Sequence, residues 1–180
     1  VVVGDGPVVG TVVVEQADFV GFTGSTRTGR EIARKAGARL VPYSLELGGK
    51  NPMIVCPDAN LDRTVQGAID ACFSSTGQLC VGAERMYVHA DIYDQFVPSF
   101  AAAVARMRLG AGYDYAAADM GSLLSQAQLE KVRAHVADAV ARGATVLAGG
   151  NPRPDLGPYF FEPTVLTDVT GEMVVCTEET

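Results

Sequence analysis

The chain has 180 residues, one domain or somewhat more at about 100–200 residues per domain. With 48% apolar and 19% charged residues it can bury a core, which excludes disordered and fibrous classes. A formal charge of −7 argues against nucleic acid as a partner, and apolar runs as short as residues 12–14 and 100–105 argue against a membrane span.

Strand-like and helix-like segments alternate along the chain. Residues 1–3 read as a short buried strand and residues 4–7 as a turn. Residues 8–15 are β-branched yet stand where a crossover helix would fit. Residues 19–22 read as a strand, and Gly24-Ser25-Thr26 opens a helix that continues to about Ala38. Residues 41–47 return as a strand, broken by Gly48-Gly49, where two glycines permit a sharp change of direction. A strand at 53–56 follows, then a helix at 61–75 capped by Asn60 or Asp58. Residues 76–80 read as a loop, 85–89 as a strand, and 91–109 as a long helix that Pro98 should kink. Residues 125–142 form the clearest amphipathic helix, with Leu129, Val132, Val136 and Val140 at helical spacing and Gly143 as its cap. Strands at 144–147 and 162–166 flank a Gly/Pro loop. This rhythm predicts an α/β fold with a mainly parallel sheet.

Four cysteines (56, 72, 80 and 176) form no C-x-x-C pair, and His89 and His135 are the two histidines. That pattern suits neither a zinc site nor a disulfide scaffold, and points to a reducing, cytoplasmic setting. No basic stretch precedes the apolar start, so no signal peptide is expected. The absence of an initiator Met suggests a piece of something longer.

Three local patterns could carry chemistry. Gly24-Ser25-Thr26-Arg27-Thr28-Gly29 lies between a strand and a helix, and reads either as an ordinary Ser-capped helix or as a phosphate cradle. Glu46, within Leu45-Glu46-Leu47-Gly48-Gly49-Lys50, is either a buried carboxylate raised toward general-base work or an edge residue facing water. Cys80, at the end of Gly77-Gln78-Leu79-Cys80, is either a small packing residue or an accessible thiol on a loop. Cys56 and Cys72 lie in apolar segments and should pack, while the histidines read as surface or satisfied structural residues.

Taken in order, Phe22-Thr23-Gly24-Ser25-Thr26, Leu45-Glu46-Leu47-Gly48-Gly49-Lys50-Asn51-Pro52 and Gly77-Gln78-Leu79-Cys80 resemble the aldehyde dehydrogenase superfamily. The resemblance continues through Arg85, Met120-Gly121-Ser122-Leu123 and Gly157-Pro158-Tyr159-Phe160-Phe161-Glu162-Pro163-Thr164, and ends at Glu178-Glu179-Thr180. Within the superfamily, the stretches around Glu46, Cys80 and Arg153 look most like bacterial succinate-semialdehyde dehydrogenases.

The resemblance implies Cys80 as nucleophile, Glu46 as general base, and NAD or NADP as cofactor. It implies that Gly24, Ser25, Gly29, Leu47 and Glu179 contact that cofactor, and that the Cys80 backbone N–H supplies half of an oxyanion hole. Asn51 and Pro52 would shape the site, and Arg85 would form a structural ion pair. Residues 1–48 would be the end of a Rossmann-like NAD(P)-binding domain and 49–180 most of a catalytic α/β domain. The parent would be a homodimer or homotetramer acting on a small aldehyde, with neither a metal nor a membrane. An alternative is a catalytically incompetent fragment, inactive on its own.

Overall fold

Several helices start where the sequence offers side-chain caps, and strands take up short apolar runs between them. The computed structural model describes residues 1–111 and 118–180. It divides into two units, Val1–Gly49 and Lys50–Thr180.

The first unit contains α1 (Gly6–Gln16), β1 (Val20–Gly24), α2 (Thr26–Ala38) and β2 (Tyr43–Leu47). The β-branched run at 12–14 is helical. Pro7 presets the first turn of α1, and the Arg39 guanidinium donates to the carbonyls of Val14 (2.7 Å) and Ala17 (3.0 Å) at its end. Residues 1–3 are not a strand. They have no regular structure and stand exposed, and among the described residues no strand pairs with them. Strands β1 and β2 pair in parallel, from Val20 opposite Tyr43 to Gly24 opposite Leu47.

The second unit contains β3 (Asn51–Val55), α3 (Leu61–Phe73), β4 (Ala83–Val88), α4 (Ala90–Ala105), α5 (Gln126–Ala141), β5 (Thr145–Ala148), β6 (Val165–Thr167) and α6 (Val174–Thr177). Strands β3 and β4 are parallel, whereas β5 and β6 are antiparallel. Asn60 caps α3 by accepting the Arg63 N–H, and Ser125 caps α5 by accepting the Gln128 N–H.

The core of this unit lies between the β3–β4 pair and helices α3 and α4, around Val55, Ala68, Ile92, Phe96, Phe100 and Val104. The rings of Phe96 and Phe100 stack at 5.6 Å. Helix α4 runs through Pro98 instead of ending there. An interior proline costs about 3 kcal/mol, while each fully buried large apolar side chain returns roughly 1.5–3 kcal/mol. Phe96, Phe100 and Val104 together outweigh it. The helix stops at Ala105, short of the expected Leu109, because the Arg108 N–H turns aside to the Asp119 carboxylate (2.8 Å).

Other expectations also need correction. Val140 is exposed, so the apolar stripe of α5 consists of Leu129, Val132 and Val136 packed near Leu123 and Phe161. Cys56 is exposed, since β3 ends at Val55 and the chain turns away from the core. Cys72 does pack against the main core. Gly149 is required where it stands: its φ is +68°, and a Cβ there would fall on the Pro163 carbonyl oxygen.

Candidate active site

In the first unit, the parallel pairing of β1 and β2 carries Gly24, Glu46 and Leu47 to one end, where Ser25 caps the following helix α2 that contains Gly29. Gly24 stands opposite Leu47, and Thr23 opposite Glu46. Gly29, buried in the first turns of α2, lies so close to Leu47 that a Cβ would come within 2.6 Å of that side chain. These residues occupy the carboxyl ends of the two strands, where ligands bind in open α/β sheets. The Ser25 hydroxyl accepts the Thr28 N–H (3.2 Å) and donates to the Thr28 hydroxyl (3.0 Å). The cap therefore serves Thr28, and the N–H groups of Thr26 and Arg27 are left at the open helix end. No acidic side chain stands in the first turn, and Arg27 and Arg30 are exposed beside it. That donor set fits a dinucleotide pyrophosphate. Glu46 is exposed on β2, so the water-facing reading holds for it and the buried one does not.

In the second unit, Cys80 sits at the corner of a turn closed by the Gly82 N–H on the Leu79 carbonyl (2.9 Å). A corner residue's own N–H is not consumed by such a turn. The Cys80 thiol is free and exposed. Its carbonyl accepts from the Asn51 side-chain amide (2.7 Å), which also donates to the Gly82 carbonyl (3.0 Å). Asn51 thereby fixes the turn from its carbonyl side, leaving the N–H side to face elsewhere.

The approach to that turn is strained. Ser75, Thr76 and Gly77 have φ values of +51°, +62° and +68°. Two of them are not glycine, at a cost on the order of 1–3 kcal/mol each. Gln78 holds the bend: its side-chain oxygen accepts the Leu124 N–H (2.9 Å), and its backbone N–H reaches the Ser75 carbonyl (3.1 Å).

A polar cluster adjoins the turn. Lys50, with its side chain 8% exposed, forms an ion pair with Glu84 and donates to the Thr180 hydroxyl (2.9 Å). Glu84 also accepts the Thr180 N–H (2.8 Å), and the His135 ring meets the Thr180 hydroxyl at 3.2 Å. Glu179, half-buried, immediately precedes Thr180 in this segment. The ion pair expected of Arg85 is not found among the described residues; its Nε and Nη2 both donate to the Lys50 carbonyl.

Two groups here have displaced protonation. Burial, reinforced by the negative charge of Glu84, pushes the Cys72 thiol up to about 11. Burial, with the charges of Lys131 and Lys50, holds His135 below the usual histidine range. His89 instead caps α4, accepting the Asp91 N–H. Among the described residues no group of His, Cys, Asp or Glu could hold a metal ion, and no helix is long and apolar enough to cross a membrane.

A cleft of about 630 Å³ in this unit is lined by Lys50, Cys72, Glu84 and Thr180 but not by Cys80. The bracing roles of Gln78, Lys50, Glu84 and Thr180 were missed in the sequence. The only available hint was Glu84 itself, a carboxylate beside an arginine in an otherwise apolar strand.

The aldehyde dehydrogenase family model matches residues 1–180. The chain belongs to that family. It is 56% identical over all 180 residues to a Mycolicibacterium smegmatis protein named "Putative succinate-semialdehyde dehydrogenase [NADP(+)]", covering 35% of it. It is 42% identical over 161 residues, 89% of this chain and 32% of the relative, to succinate-semialdehyde dehydrogenase [NADP(+)] 2 of Schizosaccharomyces pombe. Among solved structures, succinate-semialdehyde dehydrogenase from Burkholderia pseudomallei superposes with a TM-score of 0.92 at 41% identity, over 99% of this chain and 37% of that one. The NAD+ complex of aldehyde dehydrogenase from Bacillus cereus gives 0.92 at 38% identity, over 98% and 36%. The chain thus spans about a third of the length of the relatives it matches.

Proposed function

We propose that this chain carries the nucleophile and the general base of an NAD(P)-linked aldehyde dehydrogenase that oxidises succinate semialdehyde to succinate. The observation that carries the reading is the Cys80 turn. An exposed thiol stands at its corner, and its carbonyl is fixed by Asn51 so that the N–H remains available. The names of the mycobacterial, yeast and Burkholderia relatives support the substrate, and NADP(+) in two of those names supports the cofactor.

On this reading the Cys80 thiolate attacks the aldehyde carbon, and the oxygen that gains charge is met by the Cys80 N–H. Ser25 and the helix start at Gly24 would hold the cofactor pyrophosphate, Gly29 and Leu47 would line the cofactor site, and Glu179 would hold the nicotinamide ribose. When bound, the nicotinamide would supply the acceptor for the hydride that leaves the carbon attached to Cys80, leaving a thioester there. Glu46 then takes a proton from water, which attacks the thioester carbon and expels the Cys80 thiolate. Exposure suits Glu46 to this task, because the water must reach it. Residues 1–48 are the end of the NAD(P)-binding domain and 49–180 the larger part of the catalytic domain. The whole protein is a cytoplasmic homodimer or homotetramer, and residues 1–180 expressed alone are inactive.

Two substitutions in the full-length protein test these roles. Cys80→Ala abolishes succinate-semialdehyde oxidation and ester hydrolysis together, since both need the acyl-thiol. Glu46→Gln slows turnover by roughly 10²–10⁴ and leaves one burst of reduced nicotinamide per active site. Near-normal turnover by the Cys80 variant would remove the nucleophile assignment. A panel of aldehydes with and without a distal carboxylate tests the substrate.

A further inference from the structure

The pairing of β3 with β4 contains an irregularity whose position is informative. Asn51 stands opposite Ala83 and Pro52 opposite Arg85, so Glu84 has no partner across the ladder. It is the extra residue of a β-bulge. Such a bulge re-aims one side chain and ends regular pairing locally. Pro52, which has no N–H to give the ladder, allows it at this place. The carboxylate so re-aimed is largely buried, with its side chain 18% exposed, and takes both the Lys50 ammonium and the Thr180 backbone N–H.

These contacts make a continuous path. The Cys80 carbonyl is held by Asn51, Asn51 follows Lys50 in the chain, and Lys50 pairs with Glu84. Glu84 in turn holds the N–H of Thr180, the residue after Glu179. The Lys50 ammonium closes the loop by donating to the Thr180 hydroxyl. The segment from Glu178 to Thr180 is thus anchored at Thr180 by a charge-assisted bond, and at its other end by the Glu178 N–H on the Val174 carbonyl (2.9 Å). Bonds to an ionised acceptor are about twice as strong as neutral ones, and a partly buried site strengthens them further.

We propose that Glu84 is a positioning residue that sets the place of Glu179, and through it the affinity for the nicotinamide cofactor. This rests on the reading that Glu179 contacts the cofactor. Glu84 itself touches neither cofactor nor substrate. It acts by fixing the backbone one residue beyond Glu179, in register with the turn that carries the nucleophile.

The test is a double-mutant cycle in the full-length protein, read as the dissociation constant for NADP+ by protein fluorescence. The reactivity of Cys80 toward iodoacetamide without cofactor is the second readout. Glu84→Ala is expected to weaken NADP+ binding about tenfold in the unaltered background and less than twofold in a Glu179→Gln background. That is the non-additivity of two residues acting through one contact. Cys80 alkylation is expected to change less than twofold, because Asn51 still holds the turn. If the alanine variant does not fold, Glu84→Asp keeps the charge beside Lys50 but draws it back from Thr180, and is expected to give a smaller loss with the same dependence on Glu179. Equal weakening in both backgrounds would show a merely structural role and overturn the proposal. So would unchanged NADP+ affinity in Glu84→Ala while Glu179→Gln weakens binding. If Glu179→Gln leaves the affinity unchanged, the role given to Glu179 fails, and this proposal falls with it.

Discussion

The start of α2 and the turn around Cys80 are both short, glycine-punctuated connections between a helix and a strand, yet they are held in different ways. At residues 24–29 the determining bonds are local, three residues apart, between Ser25 and Thr28. At residues 75–82 the backbone runs through left-handed conformations at 75–77, and local turn bonds are supplemented by bonds from Asn51 and Leu124, far away in sequence. A helix end provides its own donors in a fixed direction, so an anion site there needs little support. A thiol on a turn has no such scaffold, and its orientation must be imposed by neighbours.

The sharpest way to probe the second region is to compare Cys80 with Cys72, eight residues before it. With its thiol pushed up to about 11, Cys72 has roughly one thiolate in 10³ at pH 8. Iodoacetamide at that pH is expected to label Cys80 and the exposed Cys56 while leaving Cys72 intact, with labelling of Cys72 appearing only above about pH 10. Peptide mass spectrometry across a pH series checks this, and early labelling of Cys72 would contradict its burial.

Asn51→Ala comes next in size. It removes two bonds to the carbonyls of Cys80 and Gly82, and should cost about 1–3 kcal/mol of stability. Activity should fall more than tenfold, as kcat rather than KM. An activity loss confined to KM would mean that the turn keeps its shape without Asn51. Ser25→Ala probes the local region. Loss of the cap should cost about 1 kcal/mol, measured by urea denaturation, with a modest rise in the NADP+ dissociation constant.

The smallest expected effect concerns His135. Its pKa is lowered in the fold, so the unfolded chain takes up its proton first as pH falls. The contribution of neutral His135 to stability is complete above the ordinary histidine value of about 6.5 and is lost as pH falls through its lowered folded value. His135→Gln should flatten that part of a denaturation-versus-pH curve.

The same contrast explains what was legible in the sequence. Caps at Ser25 and Asn60 are written in adjacent residues, and α2 and α3 start where they indicate. The three motifs around Ser25, Glu46 and Cys80 identified the family because their order and spacing survive without any structure. The antiparallel pairing of β5 with β6 was not visible, since strand direction depends on the path between strands and not on their composition. Nor was α6, a single turn of apolar residues held by the Val174 N–H on Asp138, 36 positions earlier.

The bulge at Glu84 also constrains how this stretch of chain can change in length. Facing alternates with every residue along a strand, so a one-residue deletion between Cys80 and Arg85 would restore an even ladder only by turning the preceding residues onto the opposite face. The thiol would then leave the side on which Asn51 holds its carbonyl. A substitution at the exposed Val81 can be absorbed, and one at Glu84 costs that residue's own contacts, but insertions and deletions within residues 81–84 shift the whole turn. The four-residue interval between Cys80 and Arg85 should therefore hold its length even where its letters vary.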